Sequence, residues 1–295
     1  MTGALWATIS GIGFGFFQAF NRRAGRAFDA YFSTFILIAI SAVILAVASI
    51  LMEDLRQLSN APLMAYINFG LAGALHFNIG WTFLVISQNK VGASRTAVLS
   101  GSSPLFALFI SVMAFDEFLR LPVLAGIFML MGGVYLVSAT ENATGKPGRM
   151  KWSDSMFGLG TALCFSISPI FIRGGLKDLP SPLLGVTIGM GFSALTNGIG
   201  LWFHRGRLIQ EPISRDALFF QMAASAFVGF STWTRWIALD KAPVGVVLAL
   251  GRLNVPVVIL LSPLLVGKAA ENVTVRVWLG AALIVGGSII LNFYG

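Results

Sequence analysis

About ten apolar runs, each roughly 20 residues long, follow one another along this chain with only short polar breaks between them. A run of that length matches the hydrocarbon thickness of a bilayer. There every backbone N–H and C=O must be paired within the protein, so each run is expected as a transmembrane helix. The spans fall at about 3–21, 29–52, 62–87, 92–114, 121–140, 154–174, 181–203, 215–239, 243–266 and 274–293. Asn21-Arg22-Arg23, Glu53-Asp54, Asp116-Glu117, Arg205-Gly206-Arg207 and Glu271-Asn272 mark breaks between them.

Composition excludes several classes. The 295 residues are 56% hydrophobic and only 11% charged, against about 25% charged in an ordinary soluble domain. The net charge of +8 does not indicate nucleic-acid binding, because the basic residues cluster in short loops where they anchor and orient helices. One cysteine, Cys164, excludes an intrachain disulfide, and His76 and His204 show no metal-ligand spacing,. No cofactor is implied. A zinc helix, a phosphate-binding loop and a nucleophile elbow are all missing, so an enzyme is not expected. Met1 to Leu5 carries no basic n-region, and the run continues to Phe20 as a span rather than a cleavable signal.

The chain repeats itself. Phe14-Gly15 with Arg22 matches Phe165-Ser166 with Arg173 at one offset. Trp81-Thr82 matches Trp233-Thr234, and Pro104 matches Pro256 at the same offset as the tryptophans. Gly126 with Gly132-Gly133 matches Gly280 with Gly286-Gly287. The order is preserved, and the longest polar stretch, Glu141 to Lys151, lies between the copies. This predicts a first repeat over residues 1–140, a linker over 141–153 and a second repeat over 154–295. Five spans is an odd number, so the second copy enters the membrane in the opposite sense. The expected fold is an all-α membrane protein, with ten transmembrane helices as an inverted repeat of two five-helix halves. Transporters often place their solute site at the midplane between such repeats.

Val91-Gly92-Ala93-Ser94-Arg95 through Pro104, then Phe115-Asp116-Glu117, then Gly126 to Gly133, form a small-residue helix start, a mid-helix proline, an acidic turn and a glycine-rich span. Val244 to Gly287 repeats this more loosely, with Lys268-Ala269-Ala270-Glu271 as the turn. With the ten-span repeat, this resembles the drug/metabolite transporter superfamily, specifically its EamA-type members. The resemblance covers nearly the whole chain and implies a secondary transporter that exports a metabolite. It does not specify the substrate.

Arg252 is the foremost candidate site residue. It sits mid-span in the run Val244 to Val266, which holds no acid. A guanidinium at that depth costs at least ~2.5–3.5 kcal/mol and therefore faces a bundle interior or a water-filled path. Its planar fork suits a carboxylate or phosphate; the structural alternative is a guanidinium spent on helix carbonyls or loop acids. Arg235 lies about one turn from its span end, where it either binds solute or snorkels to the interface beside Asp240. His76 is mid-span and titrates near neutrality, as a solute donor or a satisfied interhelical bond. Trp81 and Trp233, at matched positions, either line an aromatic cavity or pack in the ordinary way. Asn78, Gln18, Asn21, Asn254, Ser100, Ser102, Ser103, Ser166 and Ser168 are polar interior candidates. Pro104 and Pro256 each remove a helical hydrogen bond and are candidate hinges; Pro169 is a further candidate. The cavity is expected among spans 1, 3, 4, 6, 8 and 9.

The leading expectation is an exporter of a small anionic or zwitterionic metabolite, such as an amino acid or organic acid, working by alternating access in a bacterial inner membrane. Its partners are that solute and the lipid bilayer, without nucleic acid. A broad exporter of hydrophobic or cationic compounds is the runner-up. It is disfavoured because no Asp or Glu falls inside a span beyond its first two residues. A membrane enzyme or sensor subunit would need clustered catalytic groups or a soluble output segment, and neither is present. Lys and Arg residues favour the loops after odd-numbered spans by thirteen to six, which places both termini outside the cytoplasm. The family resemblance implies both inside, and that orientation is preferred.

Overall fold

The computed structural model describes residues 2–24, 28–91, 96, 99–115, 120–141, 152–203, 208–209, 213–265 and 274–294. The expected features at 92–95, 116–117, 142–151 and 268–271 lie outside these. The described residues form a helical protein whose β-structure is a single bridge between Phe28 and Ile209. The helices are α1 (Gly3–Ala24), α2 (Ala30–Met52), the short α3 (Arg56–Asn60), α4 (Leu63–Gly73), α5 (Trp81–Val91), α6 (Ser103–Phe115), α7 (Leu121–Glu141), α8 (Trp152–Asp178), α9 (Pro182–Phe203), α10 (Arg215–Lys241), α11 (Val244–Leu250), α12 (Asn254–Leu265) and α13 (Val275–Tyr294). A π-helical stretch, Ala74–Gly80, joins α4 to α5, and a single 3-10 turn, Gly251–Leu253, joins α11 to α12.

Local chemistry starts several of these helices. Asp29 accepts the backbone N–H of Tyr31 at 3.1 Å, and Ser214 accepts that of Ala217 at 3.0 Å, each supplying a partner to an otherwise orphan helix donor,. Pro62 and Pro243 stand just ahead of α4 and α11, and Pro182 opens α9, where a missing N–H costs nothing,.

Seven helical segments among the described residues are long and apolar enough to cross a membrane, and Leu99–Phe115 and Leu121–Val137 are shorter apolar helices. α10 has the length, 27 residues, but carries Asp216, Gln221 and Arg235. It compensates by position: Gln221, Ser225, Ser231, Thr232 and Thr234 are all buried in protein. The outer surface is apolar, with Leu51, Met113, Trp202, Leu264 and Phe293 exposed. Such a surface suits lipid, not water.

Helices pair antiparallel across the two parts of the chain. α1 runs along α10 from Gly3 beside Ala242, through Ser10 donating to the Ser231 carbonyl at 2.8 Å, to the Arg23–Asp216 ion pair at 3.0 Å. α8 runs along α4 and α5, with Gly174 beside Asn68, Ser168 beside His76 and Gly160 beside Phe83. α2 meets α9 through Ser49 and Thr187 at one end and Tyr31 and the Asn197 carbonyl at the other.

α7 and α13 cross where their glycines meet. A Cβ on Gly133 would lie 2.5 Å from the Gly280 oxygen, and one on Gly287 would lie 2.7 Å from the Gly126 oxygen. Gly11 and Gly15 of α1 likewise press against Leu250 and Val257, on either side of the break between α11 and α12. Asn292 donates to Thr8 at 2.9 Å. Together with Gly3 beside Ala242, this brings the start of α1 and the end of α13 to the same end of the bundle.

Candidate functional site in the helix breaks

The polar interior begins with a proline. Pro104 has no N–H, so the carbonyl four residues earlier, that of Ser100, lacks its usual helical donor. Nη2 of Arg252 donates to that carbonyl at 2.7 Å and to the Ser103 hydroxyl at 2.6 Å. Ser100 is the residue that matches Arg252 at the offset of the two tryptophans. Arg252 sits in the 3-10 turn, and Pro256 denies the Arg252 carbonyl its own helical donor in the same way,. Ser166 adds a third element by donating to the Ser103 carbonyl at 2.8 Å.

Part of Arg252 is thus structural, but not all of it. Its Nε is buried without a hydrogen-bond partner, and so is Oδ1 of Asn254 two residues on. A buried unpaired polar atom costs about 1–3 kcal/mol, more when charged. One orphan is a donor on a cation and the other is an acceptor.

A second cluster lies around His76. Its Nδ1 is 3.3 Å from the Ser168 hydroxyl, and its ring stacks on Phe165 at 4.4 Å between centroids. His76, Thr232, Arg235 and Trp236 line a cavity of about 10 Å³, room for roughly one water molecule. The Arg235 guanidinium lies 5.9 Å from the centre of the Phe14 ring, within electrostatic range of both Arg252 and His76. Asp240, its sequence-level alternative partner, pairs instead with Lys241 at 3.6 Å.

The remaining candidates are distributed. Asn78 bonds Thr196 and accepts from Asn197 at 2.7 Å, so it ties the π-helical stretch to α9, facing away from His76. Trp81 stacks on Phe17 at 6.1 Å, whereas Trp233 meets Phe230 edge-on at 6.4 Å. No ring contact joins the two tryptophans among the described residues. Gln18 is half-buried on α1, and Asn21 accepts from Ser33 at 3.5 Å. Ser102 turns back on the Leu99 carbonyl at 2.6 Å. Pro104 and Pro256 are buried, and Pro169 lies inside α8.

Phe14, Phe165 and Thr232, and the Ser100 carbonyl as an acceptor, were not singled out from sequence as parts of a site. The proline rule contained the signal for Ser100, because it names the carbonyl that Pro104 orphans. The phenylalanines carried no such signal among 25 of their kind.

The two guanidinium groups meet no carboxylate among the described residues, where no three His, Cys, Asp or Glu side chains gather as a metal site. Such an interior can hold and neutralise an anion. A search of curated proteins finds no match. A solved crystal structure has a TM-score of 0.77 at 17% identity, over 100% of this chain and 99% of the other, and so shares the fold. The sequence model of the EamA-like transporter family matches residues 1–139 and 153–293. With apolar helices, a lipid-facing exterior and a polar interior held at helix breaks, the chain belongs to the EamA-like transporter family.

Proposed function

We propose that this integral membrane protein is a secondary transporter that exports a small anionic or zwitterionic metabolite, an amino acid or organic acid, by alternating access. One observation carries the reading: the unpartnered Nε of Arg252 and Oδ1 of Asn254, buried in a broken helix. A solute carboxylate satisfies the first. The ammonium of a zwitterion satisfies the second.

Arg252 is the anion anchor, with Ser103 holding it in place. His76 and Arg235 extend the positive interior, Trp81, Trp233 and Gln18 border the path, and Asn78 braces it. Pro104 and Pro256 are the hinges. The architecture proposed is ten spans in two halves, 1–140 and 154–295, joined by the linker 141–153 and related by inverted topology. The exchange of glycine partners between α7 and α13 supports it, since Gly126 meets Gly287 while its match Gly280 meets Gly133. So does the bond from Arg252 to its own counterpart, Ser100.

The test is uptake into proteoliposomes of a panel of radiolabelled amino acids, dicarboxylates and organic cations, with and without a pH gradient. Arg252-dependent movement of an anion or zwitterion is expected. Movement of cations alone overturns the reading.

A further inference from the structure

The polar lining of the 10 Å³ cavity is rich in donors. His76, Arg235 and Trp236 line it, with the Thr232 hydroxyl beside them. Thr232 donates to the Val228 carbonyl at 2.7 Å. The other three have donors to spare. Among the described residues the Arg235 guanidinium makes no hydrogen bond or ion pair, and its neighbour is the Phe14 ring. The Trp236 indole packs against Phe69, and its N–H has no acceptor among those residues either. His76 meets Ser168 through Nδ1, which leaves Nε2 without a protein partner there. When the Ser168 hydroxyl donates to Nδ1, Nε2 carries the ring proton. These nitrogens are not enclosed by protein on all sides, as Nε of Arg252 is.

The other walls, Ala72, Phe77 and Ile172, are buried and apolar, and no carboxylate is among the described lining residues. Arg235 also lies within electrostatic range of Arg252. One stretch of α1 touches both neighbourhoods. Its Phe14 ring meets Arg235, and a Cβ on Gly15 would lie 3.1 Å from the Asn254 oxygen, beside the break that holds Arg252. Two like charges therefore share an interior that supplies neither with an acid. A buried charge needs a partner of opposite sign, and the face of one phenyl ring is a weak substitute. The space fits roughly one water molecule. A water there would meet donors on every polar side and bring no charge. A monatomic anion accepts from all of them and brings the charge that is missing. A carboxylate-bearing solute is too large for the space.

We propose that this cavity is a site for one small inorganic anion, a halide such as chloride, held by the Arg235 guanidinium, the Trp236 indole N–H and Nε2–H of His76. The site is separate from the solute site at Arg252 and Asn254 and does not depend on it. The ion is a fixed counter-charge: it neutralises Arg235, relieves its repulsion with Arg252 and leaves Arg252 to the solute. It also joins the π-helical stretch to α10, so it stabilises the folded protein.

The experiment measures binding of radiolabelled chloride to the purified full-length protein in detergent, with gluconate as the balancing anion at constant ionic strength. Saturable binding of one ion per chain is expected, displaced by unlabelled chloride and bromide but not by the larger sulfate. Arg235→Gln should abolish it. Trp236→Phe keeps a ring and removes the N–H, so affinity should fall about tenfold or more, the worth of one hydrogen bond to a charged group. The thermal midpoint is followed in parallel. Chloride should raise it in the unaltered protein, by mass action on the folded state, and leave that of Arg235→Gln unmoved. Should Arg235→Gln fail to fold, Trp236→Phe and Arg235→Lys carry the comparison, and both should bind chloride more weakly.

Arg252→Ala separates the two sites. Chloride binding that survives in Arg252→Ala, and that glutamate and succinate do not displace, belongs to the cavity beside His76 whatever the transported solute proves to be. Absence of saturable binding overturns the proposal, as does binding unchanged in the Arg235 and Trp236 variants or lost in Arg252→Ala. Displacement of chloride by glutamate or succinate assigns the cavity to a solute carboxylate and overturns it as well. Proteoliposomes that move only organic cations overturn the solute reading and leave the halide site standing.

Discussion

At the scale of single residues, Arg252 divides its work. One nitrogen caps a carbonyl that Pro104 orphaned and the Ser103 hydroxyl, while Nε is left without a partner. The first role is structural, and the second is the one proposed to meet the solute. Arg252→Ala is expected to weaken anion binding by roughly 10- to 150-fold, the equivalent of one lost charge-assisted hydrogen bond. Arg252→Lys keeps the charge but not the fork, so its loss should be smaller. Both are measured by equilibrium binding on protein shown to be folded by its thermal midpoint. Unchanged affinity in folded Arg252→Ala would remove Arg252 from the site. Ser103→Ala should cost less than either, because the Ser100 carbonyl still holds the guanidinium.

At the scale of elements, the glycine contacts make a sharper test. Gly132 and Gly133 are neighbours on α7, but a Cβ on Gly132 meets nothing within 4 Å, whereas one on Gly133 would strike the Gly280 oxygen at 2.5 Å. Backbone cannot move aside as a side-chain tip can. Gly133→Ala is therefore expected to destabilise by about 1–3 kcal/mol, read as a lower thermal midpoint in detergent. Gly132→Ala should leave the midpoint unchanged or raise it, since alanine favours helix by about 1 kcal/mol.

Pro104→Ala tests the break itself. It returns an N–H to the Ser100 carbonyl, sets helix and Arg252 in competition for one acceptor, and closes the break at Ser102 ahead of α6. Slower transport without a fall in thermal stability is the expected result in a proteoliposome flux assay. Slower transport accompanied by unfolding would mark the proline as shape alone.

At the scale of the molecule, the antiparallel pairs put the start of α1, the end of α2, the end of α10 and the end of α13 at one end. Cysteines at Thr2, Ser59 and Tyr294 in a Cys164→Ser background should therefore react with an impermeant reagent from one side. A cysteine at Ile213, ahead of α10 near the Arg23–Asp216 pair, should react from the other. The expected side for the termini is the cytoplasm. Labelling of the termini from outside would support the lysine and arginine count against that orientation.

The sequence by itself determined the solvent and the class of fold. Apolar runs of bilayer length leave the backbone no partner but itself, and helices follow from that wherever the runs occur. The repeat was legible because Trp81, Pro104 and the glycine triplet recur in order, and Arg252 was legible because an unneutralised charge inside such a run demands a reason. Tertiary structure decided what the charge does. Arg252 finds its acceptor 152 residues away, and local pattern cannot specify a contact at that separation. The same holds for Asn78, whose side chain bonds Thr196 and Asn197 of α9, more than a hundred residues along the chain. It holds equally for Arg173, whose partners on α6, α10 and the following turn come together only when the helices do.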